Sequence, residues 1–390
     1  MKKKLKDVCD FYSGTGFPTQ YQGEDKGDYP FYKVGDIAKN VTVGKVYLEL
    51  CSNYIDEVVV KKIKGCILPE NTVVFAKIGE ALKLNRRAIT SCACLVDNNV
   101  MGIAPRSEVL RIQYFYFLMK NLQLQTLAES TTVPSVRKTR LEKYEIEVPS
   151  LLEQEKIEKK LIFMQKVITK RKLELLSLDN LVKARFVEMF GNPVSNEKRW
   201  VTEAMHKVAP IVNYKGNIGN EIWLLNLDMV EAQTGRILEY IMVPKNNIGS
   251  SICQFDTSNV LYSKLRPYLN KVEIPDRCGC ATSEMLPLQP VQGKLNRTYF
   301  AYMLRNNEFV SMINEKVSGA KMPRVSTDEL KNFKVPLPTL KMQNEFADFV
   351  RQVDKSKIAE YINYLYTFRR HGIYSSRHAC AIFMCKTIPC

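Results

Sequence analysis

Two stretches of this chain match each other at one constant offset, and a chain that repeats itself is expected to fold as two copies of one unit. Pro134, Val136, Leu141, Pro149, Leu151 and Gln154 fall, without a gap, on Pro323, Val325, Leu330, Pro338, Leu340 and Gln343. Between these identities Tyr144 meets Phe333, Ile146 meets Val335, Val148 meets Leu337, Ser150 meets Thr339 and Ile157 meets Phe346. Upstream the correspondence is looser but keeps its order. Val74–Gly79 (VFAKIG) matches Val260–Lys271 (VLYSKLRPYLNK), and Cys92–Ala93–Cys94 matches Cys278–Gly279–Cys280. Tyr114–Phe115 matches Tyr299–Phe300, each opening an amphipathic stretch. Near each start an aromatic-led segment, FYKVGDI from Phe31 and WLLNLDM from Trp223, is expected as a strand ending in an acid and an apolar residue.

Each repeat ends in the same device. A short β-rich stretch (YEIEVPS, FKVPLPT) gives way after proline to Ser150 or Thr339, both good helix N-caps, with Glu153 and Gln154 or Gln343 placed to complete a capping box. The first copy then predicts a helix to about Phe190, stopped by Gly191–Asn192–Pro193. Ile157, Leu161, Met164, Ile168, Leu175, Leu178 and Val182 recur in heptad fashion, interrupted by Arg171. About forty residues at about 1.5 Å each make a rod of roughly 60 Å, and so narrow a stripe needs a partner. The second copy's helix offers Phe346, Val350, Val353, Ile358, Tyr361, Leu365 and Phe368 on one face. The other arrangement is that each helix packs on its own globular domain.

At 390 residues two or three domains are expected. A net charge of +16, spread over both halves, suits a polyanionic partner with a long footprint, or a basic but otherwise ordinary soluble protein. With no apolar run long enough to span a membrane and no apolar leader after MKKKLKDVCDF, a cytoplasmic protein is expected. The eleven cysteines are scattered and expected to stay reduced. The Cys-x-Cys pairs suggest buried apolar thiols on one strand face rather than a metal site, and no metal ligand set is expected.

A variable block, a junction such as VPSLLEQEKI or LPTLKMQNEF and a long helix, all repeated once, resembles the specificity subunit of type I restriction–modification systems. FVEMFGNP and KLRPYLNK are similar to that family's central region and second recognition domain. The resemblance implies an α+β fold: two related mixed α/β target-recognition domains joined by two long antiparallel coiled-coil helices in a pseudo-twofold arrangement. On this reading residues 1–149 and 192–338 are the recognition domains, 150–191 the central helix and 339–370 a shortened second helix. Residues 371–390 form an atypical tail, rich in cysteine and without acids, whose removal (372–390) is expected to leave binding unchanged. The resemblance further implies no active site and no cofactor on this chain. It implies double-stranded DNA as ligand, with two modification subunits using S-adenosylmethionine and restriction subunits using ATP as partners.

Candidate DNA contacts are basic and amide side chains beside Gly/Pro turns, since phosphate contacts position and base-edge contacts specify. The first copy offers Lys77, Lys83, Asn85, Arg86 and Arg87, then Ser135, Arg137 and Lys138 before the final strand. The second offers Lys264, Arg266, Tyr268, Asn270 and Lys271, then Lys321 and Arg324. Arg86, Arg87, Asn85, Arg266 and Arg324 can bind purine edges in bidentate fashion. Each cluster could equally be a solvated charged loop. DFYSGTG (Asp10 to Gly16) imitates the glycine loop of methyltransferases, but Phe17–Pro18 is a poor helix opening and no NPPY-like tetrapeptide follows. The glycines are expected to make a turn. His206 stands alone. Two rival functions are a stand-alone methyltransferase or restriction enzyme, which needs a catalytic motif, and a protein-binding adaptor.

Overall fold

The computed structural model describes residues 1–129, 133–216, 219–249, 251–318 and 322–370, with 358–370 as backbone alone. Two compact units part between Thr169 and Lys170, inside the first long helix rather than at either of its ends.

The two units share one strand scheme. Tyr29–Tyr32 runs parallel to Leu95–Val96 and antiparallel to Tyr54–Ile55. Glu221–Leu225 likewise runs parallel to Gly279–Thr282 and antiparallel to Ile241–Pro244. Val73–Ala76 lies antiparallel between Ala88–Thr90 and Val100–Pro105, as Val260–Ser263 lies between Val272–Glu273 and Met285–Leu288. These two central strands read VVFA and VLYS with every residue buried. A strand covered on both faces has no solvent side on which to alternate.

The ends of each repeat also pair in space. Lys2–Lys4 runs antiparallel to Glu145–Glu147, and Thr202–Ala204 to Lys334–Pro336. Next to them the Leu5 N–H donates to Tyr144 O, and the Met205 N–H to Phe333 O, both at 2.9 Å.

The first long helix runs Leu151–Phe190 and the second Leu340–Arg370. At the first, the Ser150 N–H donates to Glu153 Oε2 at 3.0 Å and the Glu153 N–H donates back to Ser150 Oγ at 3.3 Å, the expected capping box. At the second, Thr339 Oγ1 accepts from Met342 N–H at 3.4 Å, and methionine supplies no reciprocal arm. Gln154 and Gln343 take no part in capping, because both side chains are fully buried. Gly191, at φ +75°, closes the first helix with its N–H on Val187 O.

Within the second unit the two helices run antiparallel. Phe346 packs edge-on against Phe186 and Phe190, while eleven residues further on Lys357 Nζ lies 2.7 Å from Asp179 Oδ1, so numbering rises on one helix as it falls on the other. Val182, Phe186, Phe190, Phe346, Val350 and Val353 share one buried cluster with Tyr299 and Phe300, and Leu178 packs against it. This half of the first helix thus packs on the second helix and on the globular part of its unit at once. In the first unit Leu161 and Met164 are buried, and Ile157 and Ile168 half-buried, as Leu175 is in the second. The side chains expected opposite them, from Ile358 to Phe368, lie outside the described residues, as does the tail from 371.

Three local expectations are corrected. FYKVGDI is not one strand: it ends at Tyr32, and Asp36 accepts the Lys33 N–H at 2.8 Å to start the helix Val34–Thr42. Its counterpart strand likewise stops at Leu225, before the 3₁₀ turn Leu227–Met229. Of the paired cysteines only Cys94 and Cys280 are buried. Cys92 and Cys278 are exposed, because each precedes the strand that would have imposed alternation. DFYSGTG leaves a strand, Cys9–Ser13, not for a turn but for a parallel bridge from Thr15 to Asp97, so close that a Cβ on Gly14 would meet Asp97 O at 1.7 Å.

Candidate nucleic-acid interface

Each unit brings its two basic segments together through the same backbone frame. In the first, the Lys77 N–H donates to Asn99 O (2.9 Å), the Val136 N–H to Lys77 O (2.9 Å) and the Gly79 N–H to Pro134 O (2.8 Å). In the second, the Lys264 N–H donates to Glu284 O (3.0 Å), the Val325 N–H to Lys264 O (3.0 Å) and the Arg266 N–H to Pro323 O (2.8 Å). Ile78 bridges Ser135 as Leu265 bridges Arg324. The turns reverse through positive φ at equivalent places, Gly79 and Arg266, then Asn85 and Asn270. Both asparagines cap a helix end: Asn85 Nδ2 donates to Lys120 O at 3.0 Å and Asn270 Nδ2 to Arg305 O at 2.9 Å.

Many of the cations in this frame carry a carboxylate partner. Lys83 pairs with Glu80 (2.6 Å), Arg137 with Glu129 (2.9 Å) and Lys138 with Glu142 (3.8 Å). Glu284 serves both Arg324 (3.1 Å) and Lys264 (4.0 Å). The exposed pairs of the first unit contribute only about 0–1 kcal/mol each, so there a phosphate can replace the carboxylate at little cost. Among the described residues Lys77, Arg86 and Arg266 have no carboxylate partner, and Arg266 is exposed. Tyr268 is exposed, while Ser135 is half-buried in its bridge.

Three candidates turn inward instead. Arg87 is 2% exposed: its guanidinium donates to Asn85 Oδ1 (2.7 Å) and Arg86 O (2.8 Å) and lies over the Phe75 ring. Burial pushes its pKa down to about 9, which leaves it charged at neutral pH. Asn270 is buried by its capping role, and Lys271 donates through Nζ to Leu227 O at 2.5 Å, burial holding its ammonium below the usual value. Arg266 and Asn270 both sit at φ +49°, and the turn between them leaves Arg266 exposed and Asn270 buried. Lys321 lies outside the described residues.

Sequence reasoning missed the role of the two junction glutamines. Gln154 Oε1 accepts the Arg111 N–H (2.9 Å) while its Nε2 donates to Val109 O (2.8 Å) and Pro149 O (2.9 Å). Gln343 repeats all three contacts with Asn296 N–H (2.7 Å), Lys294 O (3.2 Å) and Pro338 O (2.8 Å). Each amide bolts a long helix to the loop that starts an amphipathic helix. The signal was there, as one of the gapless identities, but a capping box explained it locally.

The comparisons agree with this architecture. The family described as type I restriction modification DNA specificity domain matches residues 1–177 and 228–363. The EcoDI specificity subunit of Escherichia coli is 27% identical over 124 residues, 32% of this chain and 27% of that protein, so this match spans about a quarter of the relative's length. The MjaVIII specificity subunit of Methanocaldococcus jannaschii is 20% identical over 408 aligned residues, 89% of this chain and 91% of that protein. The crystal structure of the S subunit from M. genitalium shares the fold at a TM-score of 0.50 and 12% identity, covering 98% of this chain and 96% of that one. Two repeats of one fold, each closing on a basic turn and a helix-bolting glutamine, together with a family match over both repeats, give one conclusion: the chain belongs to the type I restriction modification DNA specificity domain family.

Proposed function

We propose that this chain is the DNA sequence-specificity subunit of a type I restriction–modification complex. It binds an asymmetric, bipartite duplex target and carries no catalytic step of its own. The observation that supports this most directly is the basic turn held by the same main-chain bonds once in each repeat. Residues 1–149 and 192–338 each read one half-site, with Lys77, Lys83, Arg86, Ser135, Arg137 and Lys138 in the first and Lys264, Arg266, Tyr268 and Arg324 in the second; Asn85, like Asn270, spends its amide on holding the turn. The helices 150–191 and 339–370 set the spacer between half-sites and present surfaces to two modification subunits, which supply S-adenosylmethionine-dependent adenine methylation, and to ATP-dependent restriction subunits. The complex works in the cytoplasm; among the described residues no helix is long and apolar enough to cross a membrane.

The test is to map methylated adenines in cells carrying the chain with its modification subunit. A split target with two unlike halves is expected, and exchanging residues 1–149 for another member's block should change one half alone. Change in both halves, or methylation without sequence preference, would refute the reading. Binding should also weaken steeply with salt, the mark of phosphate contacts.

A further inference from the structure

The two turns differ in chemistry at positions that the backbone makes equivalent. Because Lys77 N–H binds Asn99 O as Lys264 N–H binds Glu284 O, Asn99 and Glu284 occupy the same place beneath the turn. The strand register agrees, with Ala76 opposite Val100 and Ser263 opposite Met285. The matching bridges make Ser135 and Arg324 a second equivalent pair. The first unit therefore carries two neutral polar side chains here, and the second a carboxylate and a guanidinium.

Glu284 holds Arg324 in a particular way. Its Oε1 accepts from Arg324 Nε at 3.1 Å, and its Oε2 is buried without a hydrogen bond, 4.0 Å from Lys264 Nζ. A carboxylate that binds only Nε leaves both terminal amino groups of the guanidinium without a partner among the described residues, and the Arg324 side chain is 44% exposed. Two parallel terminal donors on a fixed plane are the arrangement that matches O6 and N7 of guanine. A carboxylate close to a DNA backbone opposes phosphate binding, and Glu284, with its side chain 23% exposed, would weaken affinity for any duplex, a cost that a role in specificity would offset.

The geometry points to Glu284 as the positioning residue of a guanine reader, Arg324, in the second recognition domain; Asn99 and Ser135 at the same two places leave the first half-site without that reader. This rests on the DNA-recognition reading above and names which base is read and what orients the side chain that reads it. Neither Asn99 nor Glu284 stands out by charge clustering in the sequence, because their alignment with the turns is set by strand pairing.

The experiment uses the chain assembled with its modification subunits and a duplex library randomised in one half-site at a time, with methylation read by sequencing and affinity for random duplex measured separately. Glu284→Gln is isosteric and keeps the main-chain carbonyl that Lys264 binds. It should lower the guanine preference at one position of the second half-site by about tenfold or more, the discrimination of one bidentate pair, and at the same time raise affinity for random duplex. Arg324→Gln should abolish the same preference, the double variant should lose no more than Arg324→Gln does, and first half-site preferences should stay as they were. Glu284→Gln weakening all sequences equally would mean a packing role and overturn the inference. So would Arg324→Gln lowering affinity while the guanine preference persists, which marks a phosphate contact. If the unaltered complex shows no base preference at all, the DNA-recognition reading itself fails, and this inference with it.

Discussion

Replacing Gln343 with leucine tests whether the junction glutamine holds each repeat to its helix. The two side chains are of similar volume, so packing is nearly kept while three hydrogen bonds vanish, from Asn296 N–H and to Lys294 O and Pro338 O. A buried bond contributes about 1 kcal/mol net, and an orphaned buried partner costs about 1–3 kcal/mol. Gln343 itself is fully buried, so the loss should be about 3–5 kcal/mol for the second unit. Asn296 also caps the helix Arg297–Arg305 through its side chain, so the effect should spread there. A chain of two units need not unfold in one step. Native-state hydrogen exchange of amides in 297–305 and 340–350, followed through a urea series, is therefore the fitting assay. Gln154→Leu should do the same to the first unit, and because the glutamines share no partner the double variant should be additive within about 0.5 kcal/mol. A loss under about 1 kcal/mol, or loosening confined to the untouched unit, would refute the bolting role.

Adjacent arginines should separate stability from binding. Arg87→Met strips the donors from Asn85 Oδ1, Arg86 O and the buried Leu122 O and should cost the first unit about 2–3 kcal/mol in urea unfolding while leaving base preference intact. Arg86→Ala should change stability by less than about 0.5 kcal/mol and lower the salt slope of DNA binding by about one, measured by titration at several salt concentrations. Burial, only partly offset by nearby Arg305, pushes the Glu273 carboxyl up to about 7. The folded state then holds a proton that the unfolded state gives up above about 4.5, so stability should fall as pH rises from about 4.5 to 7. Glu273→Gln should remove that dependence and raise stability at pH 8 by up to about 3 kcal/mol, with little change at pH 4, as thermal melts across pH would show.

The duplication, the long helices and the two basic segments per repeat were legible from one chain because each leaves a local or periodic trace. Proline-to-glutamine spacing repeats at a constant offset, the heptad stripe runs through Val182, and cations cluster beside turns. Where side chains point was not legible. Arg86 and Arg87 look alike in sequence, yet pairing of Ala88–Thr90 with Val73–Ala76 buries the second and leaves the first half-exposed. Asp36 reads as the end of a strand until Lys33 N–H is seen to use it as a cap.

By itself the order of residues determined that one unit is used twice and that long helices follow, since the first is written as a constant offset between two stretches and the second in the spacing of neighbours within a few turns of chain. Only the tertiary structure decided that Gln154 and Gln343 face inward, that the helices of the second unit run antiparallel, and that Asn99 and Glu284 stand at equivalent places beside the turns. Those depend on hydrogen bonds between residues distant in sequence, whose geometry exists only after the strands have paired.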